Sequence, residues 1–531
     1  MNMALRQKCK YKLLLILIFI LGFALRLYHI DFLDIWRDEA VSINAALQPA
    51  HKIIDIYITD TNPPLYELLL NPWIKVFGKS AISVRMLSLI FGMLTIYFTY
   101  LLSTLIFSNA TYRLLTALFA SINPLLIIYS QEARSYSMLV TFAAAAIYFA
   151  RRMNSNARLD VYLYFILFSL LGLYTHNIFT VVMAAIMIAI LIGILYPPSN
   201  HIKFSLLFQN SEFKYAAISY ICISLFYLPW FIIMVQQYGK IASGGFWLHF
   251  NPIKDVIDNY NWFFTTQNYN SNFTVLNWFA YGFIRLFAIW LSIGGIILEF
   301  GNSTKFLPKL SLLVLLMLGI VFLISFKTPF YYVRYLIFVV PILLTLLSYG
   351  IRDFLTLFGR KSAIVLTAIF IISNLVFYLT NIAQNTFKAE YQNALRYIEF
   401  NPATDIILHP HVFTFHSFNY YSELPNYIHN PNRDLVYYEG LAYISEGDYY
   451  DGHLTRYTRI WTINLRKDSR FERELSRNGF IKVKKQHFKV SLFVDLWVLR
   501  QPAVLSGHSR KLDLPVFTTL RYNRKFCPSF I

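Results

Sequence analysis

The chain has 531 residues, of which 57% are hydrophobic and 14% charged, and its formal net charge is +19. Soluble domains carry about 25% charged residues, so this composition excludes one; many of the apolar runs reach the roughly 17 residues that cross a bilayer as a helix. The positive balance is read as cytoplasmic loops and contact with anionic lipid, because no basic helix or RNA-binding signature points to nucleic acid.

Arg6, Lys8, Lys10 and Lys12 precede the first apolar run, residues 13–30. This start resembles a signal peptide, but it lacks a small-x-small cleavage site and further spans follow, so it is read as a retained first helix with a cytoplasmic N-terminus. The loop 31–80 then lies outside and is expected to hold short helices on the membrane surface. Residues 82–107 return to Arg113, and 114–129 lead out to Ser130-Gln131-Glu132-Ala133-Arg134. Residues 138–150 come back to Arg151, Arg152 and Arg158, and 162–175 place His176 and Asn177 outside. Residues 178–196 return to Lys203 and Lys214, and 215–235 lead to an outer segment, 236–280, rich in Trp, Phe, Tyr and Asn. Residues 281–300 return to Lys305 and Lys309, 310–326 go out to Lys327, 336–350 come back to Arg352, Arg360 and Lys361, and 364–380 cross outward. The expectation is about eleven spans, with basic inner loops setting the orientation. Cys9, Cys222 and Cys527 then fall inside, within and outside the membrane, with no CxxC, and cannot pair easily.

After residue 381 the composition shifts. A helix ends at 396–399, residues 405–408, 459–465 and 491–499 read as strands, and 471–477 reads as a helix stopped by Gly479. The expected fold class is a polytopic α-helical membrane domain, residues 1–382, followed by a small α/β extracytoplasmic domain, 383–501, and a tail, 502–531.

Several polar groups stand out against this background. Asp38-Glu39 follows the first span directly. Carboxylates beside a bilayer are costly unless they face water, pair with cations or do chemistry; the pair reads either as a surface turn or as a general base, with Glu39 orienting Asp38 or joining it around a divalent metal. No cofactor is otherwise implied. Asn62-Pro63-Pro64-Leu65-Tyr66 reads as a helix start or a rigid site wall, with Asn62 beside it. In Gln131-Glu132-Ala133-Arg134-Ser135-Tyr136, Arg134 either pairs within the loop or binds a phosphate, which its fork of donors suits. His176 sits at a helix end, and Arg334 lies among Tyr331, Tyr332 and Tyr335 with Lys327 nearby, as an interfacial belt or a second phosphate site. His409, His411 and His416 match no strong metal-ligand spacing. The topology puts Asp38, Asn62, Glu132, Arg134, His176 and Arg334 on one membrane face, an agreement that independent segments rarely reach by chance.

Arg26 near the end of the first span, Asp38-Glu39, Pro63-Pro64-Leu65-Tyr66, Gln131-Glu132-Ala133-Arg134 with Tyr136, and Arg334-Tyr335 before Pro341 together resemble the polytopic GT-C glycosyltransferases. The resemblance covers about residues 20–350 and points to bacterial relatives of the dolichyl-phosphate-mannose protein mannosyltransferases and of the lipid A aminoarabinose transferases. It departs at Thr61-Asn62, where the aminoarabinose transferases carry Glu-Lys, and the large inserted lumenal domain of the mannosyltransferases is absent. The resemblance implies a polyprenyl-phosphate sugar donor and transfer of a hexosyl or pentosyl unit, outside the bacterial inner membrane, to a glycolipid, polysaccharide or protein. By position Asp38 resembles the catalytic carboxylate, and Arg134 and Arg334 the phosphate-handling cations, with Lys327 beside them. Glu132, Tyr136, His176 and Tyr332 would support the site. The chemistry agrees: a phosphate leaves readily, so one base on the acceptor and cations on the phosphate suffice, unlike the two carboxylates of glycoside hydrolysis. The alternatives are a transporter or flippase of lipid-linked saccharides, for which inverted repeats and broken mid-membrane helices are expected, and a non-catalytic scaffold.

Overall fold

The computed structural model describes residues 2–154, 156–195, 211–244, 248–265, 275–301, 309–384, 388–429, 443–465 and 468–500. Lys203, Lys305, Cys527, the tail 502–531 and parts of the 236–280 segment lie outside the described residues.

Helix α1, Asn2–Leu27, carries the first apolar run. The loop that follows holds three short helices: α2, Arg37–Ala46, α3, Ala50–Thr59, and α4, Leu65–Phe77. Helix α2 is buried on nearly all sides, whereas α4 buries one stripe, Tyr66, Glu67, Leu70, Asn71 and Ile74, the spacing of a single helix face. Gly78, at φ +79°, ends α4 in a conformation that a side chain would resist.

Among the described residues five helices are long and apolar enough to cross a membrane: Ala81–Thr104, Phe213–Gly239, Tyr281–Glu299, Val333–Phe358 and Arg360–Thr380. A sixth is formed if the bent pair α6, Ala110–Ile122, and α7, Pro124–Ser130, counts as one span. Leu159–Leu173, Phe179–Gly193 and Leu310–Ser325 are apolar but shorter. The protein is thus polytopic and helical. Val333–Phe358 is 89% buried over its most apolar stretch, so it forms the axis around which the other spans pack. It starts as a single turn and a 3-10 segment before Val340–Phe358, where Pro341 has no N–H to continue an earlier turn.

The break between α6 and α7 is 55°. Asn123 starts α7 by accepting from the Leu126 N–H at 3.0 Å, and Pro124 follows at the first helical position. Arg26, fully buried, meets the loose end of α6: its Nη2 donates to Ala120 O at 3.1 Å, and its Nη1 to Ser121 O at 3.0 Å and Gly22 O at 3.1 Å. A fully buried cation is tolerable here because it faces carbonyls at the negative end of a helix.

The C-terminal part forms a five-stranded mixed sheet in the order β2-β1-β3-β5-β4. Strand β1, Asp405–His409, pairs in parallel with β2, Asn426–Ile428, and with β3, Arg459–Asn464; β5, Leu492–Leu499, runs antiparallel to β3 and to β4, Phe480–Phe488. The strands expected at 405–408, 459–465 and 491–499 are there, and so is the helix around 471–477, as Ser469–Arg477. Alternate residues of β1 pack on opposite faces, Ile407 with Trp461 and Ile463, and Ile406 and Leu408 with Phe471 and Leu475, so both faces are covered.

This sheet unit is tied to the helices at the loop 31–80. The Tyr421 hydroxyl accepts from the Ile35 N–H at 2.6 Å, Gln392 donates to both Asp34 oxygens at 2.9 and 2.7 Å, and Tyr420 donates to Lys79 O at 2.6 Å. Tyr443 reaches Asp60 at 2.8 Å.

Candidate active site

Asp38 and Glu39 occupy the first turn of α2, where the unpaired N–H groups of a helix start favour carboxylates. Their side chains then diverge. Asp38 Oδ1 lies 3.2 Å from Arg37 Nε and Oδ2 lies 3.2 Å from Arg334 Nη1, while the Asp38 carbonyl accepts from Arg134 Nη1 at 3.2 Å. Its side chain keeps 13% exposure. Burial pushes the Asp38 carboxyl up, but Arg37, Arg334 and Arg134 together outweigh burial and hold it down at about 2.

Glu39 is fully buried and saturated. Its Oε1 accepts from Arg85 Nε at 2.7 Å and from the Ala133 N–H at 2.9 Å; its Oε2 accepts from Arg85 Nη2 at 2.8 Å and Lys388 Nζ at 3.0 Å. Burial raises its carboxyl, and Arg85 and Lys388 bring it below the usual range. Two features weigh against a metal at this pair: every Glu39 oxygen is already met by a cation, and both Asp38 oxygens face guanidinium groups. Among the described residues no group of three or more His, Cys, Asp or Glu side chains could hold one. Both Glu39 oxygens are thus engaged by the protein itself.

Arg134 and Arg334 approach Asp38 from separate elements. Arg134 follows a tight turn in which its N–H donates to Glu132 O at 2.7 Å, and its Nη1 also donates to Ser42 Oγ at 2.7 Å. Arg334 lies on the turn Val333–Leu336, with its guanidinium 5.5 Å from the Tyr332 ring and 5.4 Å from the Tyr335 ring. Aromatic contacts continue from Tyr335 to His176 at 5.8 Å, to Tyr136 at 6.1 Å and to Tyr129 at 5.0 Å. His176 Nδ1 accepts from the Ile178 N–H at 3.2 Å. Burial, then Arg134 and Arg334, push the ring down to about 3, so it is neutral with its proton on Nε2.

Asp38, Glu39, Glu132, Arg134, Tyr136, His176, Tyr332 and Arg334 are thus brought into one contact network. Asn62 stands at its rim, next to Thr61, whose carbonyl accepts from Asn177 at 2.7 Å. Lys327 is exposed, two residues beyond the helix Leu310–Ser325, and makes no contact with the cluster among the described residues. Unforeseen members are Arg85, Lys388, Ser42 and Glu67. Ser42 Oγ donates to Glu67 Oε1 at 2.7 Å, linking Arg134 to a carboxyl that burial pushes up. Arg85 carried a signal, an arginine at the start of a long apolar helix, which requires a partner. Lys388 carried none, since a lysine after a last span is ordinary.

The family model described as dolichyl-phosphate-mannose-protein mannosyltransferase matches residues 61–230, a segment that includes Asn62, Glu132, Arg134, Tyr136 and His176. Among solved structures, ArnT from Cupriavidus metallidurans in the apo state aligns with a TM-score of 0.56 at 10% identity, over 91% of this chain and 97% of that one. The same protein bound to undecaprenyl phosphate aligns at 0.56 and 11% identity, over 93% and 99%. The Archaeoglobus fulgidus oligosaccharyltransferase in the apo form aligns at 0.51 and 11% identity, over 80% of this chain and 65% of that one. No curated protein matches. The chain therefore shares its fold with these solved structures, and its residues 61–230 match the mannosyltransferase family model.

Proposed function

We propose that this protein moves a sugar from a polyprenyl-phosphate donor to a hydroxyl acceptor of the cell envelope, at the outer face of a bacterial inner membrane that it crosses about eleven times. The observation that carries this reading is Asp38 met by guanidinium groups from three elements, Arg37 and Arg334 at its carboxylate and Arg134 at its carbonyl. That set suits a phosphodiester: arginines hold the phosphate and the charge that develops as it leaves, and the carboxylate takes the acceptor proton. The acceptor oxygen bonds to the anomeric carbon as the carbon–oxygen bond to phosphate breaks, and one direct displacement inverts that carbon. Held at about 2, Asp38 is a weak base in the empty site. A donor phosphate that draws Arg134 and Arg334 to itself removes their part of this hold, while Arg37 stays, and so raises the basicity of Asp38: donor binding prepares the base. ArnT, with the same fold, binds undecaprenyl phosphate, which supports this donor class.

The test is transfer in liposomes with Arg334 variants, offering a polyprenyl-phosphate sugar or a nucleotide sugar. Lysine keeps the charge but loses the fork, so Arg334→Lys is impaired and Arg334→Ala loses about tenfold or more, the worth of a charge-assisted contact. Arg352→Ala, whose guanidinium packs 4.0 Å over Tyr349 away from the site, changes little. Equal rates for wild type and Arg334→Ala, or direct use of the nucleotide sugar, reject the reading.

A further inference from the structure

Lys388 lies in the segment between the helix Arg360–Gln384 and the sheet unit, and only 4% of its side chain is exposed. Its Nζ sits 3.0 Å from Glu39 Oε2 and 3.5 Å from Glu132 Oε1, with the Trp36 ring 5.8 Å away. Glu39 does not require this second cation for charge balance, because Arg85 already meets both of its oxygens. Glu132, 7% exposed, makes its one described ion pair with Lys388, and its Oε2 has no hydrogen-bond partner among the described residues. A one-to-one count gives Arg85 to Glu39 and Lys388 to Glu132. Glu132 also opens the turn whose next two residues donate to Glu39, through the Ala133 N–H, and to Asp38 O and Ser42, through Arg134.

We propose that Lys388 is a positioning residue of the active site: it neutralises Glu132, pins it against Glu39, and so fixes the 132–134 turn that aims Arg134. This rests on the function proposed above, and it makes the segment leading into the sheet unit part of the catalytic centre. The groups facing Glu132 are Lys388, Glu39, Asp38, Arg85 and Tyr129, of which Lys388 does most to favour its charged form while burial opposes it. Without Lys388 a buried carboxylate is left uncompensated, the costly outcome of breaking such a pair.

The experiment compares wild type, Lys388→Met, Glu132→Gln and the double variant in two assays. In the transfer assay Lys388→Met lowers kcat by about tenfold or more, most at high pH where Glu132 is ionised and least at acid pH where its protonated form needs no cation. Adding Glu132→Gln restores most of the rate and flattens the profile. In the second assay, thermal unfolding in detergent, no turnover is needed. Glu132 has a folded value raised above its unfolded one, so the stability it contributes is present at low pH and lost as pH rises through the folded value. Removing Lys388 raises that value further. Lys388→Met therefore shows a deficit in Tm that widens with pH, and the double variant does not. A rate loss equal at every pH, or a deficit that Glu132→Gln leaves in place, overturns the role of Lys388. Wild-type protein that transfers no sugar from a polyprenyl phosphate overturns the proposed function instead, and Lys388 is then judged on unfolding alone.

Discussion

Asp38 pairs with arginines in this structure, and in the proposed mechanism it accepts a proton once the donor is bound. The two states should separate in pH profiles, because kcat/KM for the donor reports the free enzyme and kcat the donor complex. With the free carboxyl at about 2, kcat/KM shows no acid limb from Asp38 in the usual assay range, whereas the acid limb of kcat lies at higher pH, where capture of the arginines by phosphate has raised the group. Coincident limbs in steady-state profiles on one donor would reject the exchange. Asp38→Asn, which keeps the shape and removes the base, should fold and lose about 10²–10⁴ in kcat. Legibility at this scale followed local contrast. Asp38, Arg134 and Arg334 stand beside apolar runs and could be singled out. The partners that immobilise Glu39 lie 46 and 349 positions away at Arg85 and Lys388, and pairing over such separations leaves no mark in the neighbouring sequence.

Among the elements, the packing of Val275–Gly301 against Val340–Phe358 depends on two glycines facing each other's neighbours. A Cβ at Gly295 would overlap the Leu346 carbonyl, and one at Gly350 the Leu291 carbonyl. Backbones this close are the usual gain from small residues between membrane helices. Gly295→Ala should therefore cost about 1–3 kcal/mol by overpacking, while Gly319→Ala, where a Cβ meets nothing within 4 Å, should be neutral or slightly stabilising; thermal unfolding of the two in detergent checks this. Apolar periodicity located most helices and the three inner strands, since buried runs announce themselves. It missed β2, which has only three residues, and β4, whose exposed edge carries Lys482, Lys484 and Lys485 and so reads as a polar loop. The single span expected over 114–129 is a bent pair, because Asn123-Pro124 restarts the helix.

The whole molecule has one orientation to defend. If the basic N-terminus and the Arg151-Arg152 loop are cytoplasmic, impermeant thiol reagents added to intact cells should label cysteines placed near Asp31 or at Gln392 and miss one placed near Arg152. Labelling at Arg152 with none at the other two positions would invert the topology and remove the outer site. The sheet unit then belongs on the acceptor side of the reaction, held there by Tyr421, Gln392, Tyr420 and Tyr443 against the 31–80 loop.

The distance in sequence between Lys388 and its carboxylates has a meaning for biosynthesis. Arg85 reaches Glu39 within the first 85 residues, so that pair can close as soon as the early helices enter the membrane. Arg334 meets Asp38 only 296 positions further on, and Lys388 follows after the last long apolar helix. Until then Glu132 is without its cation. A nascent chain halted before residue 388 thus lacks the cation that meets Glu132 in the complete chain. Of the described ion pairs at Glu39 and Glu132, the ones made by Lys388 close last, a molecular record that translation ran past the membrane helices.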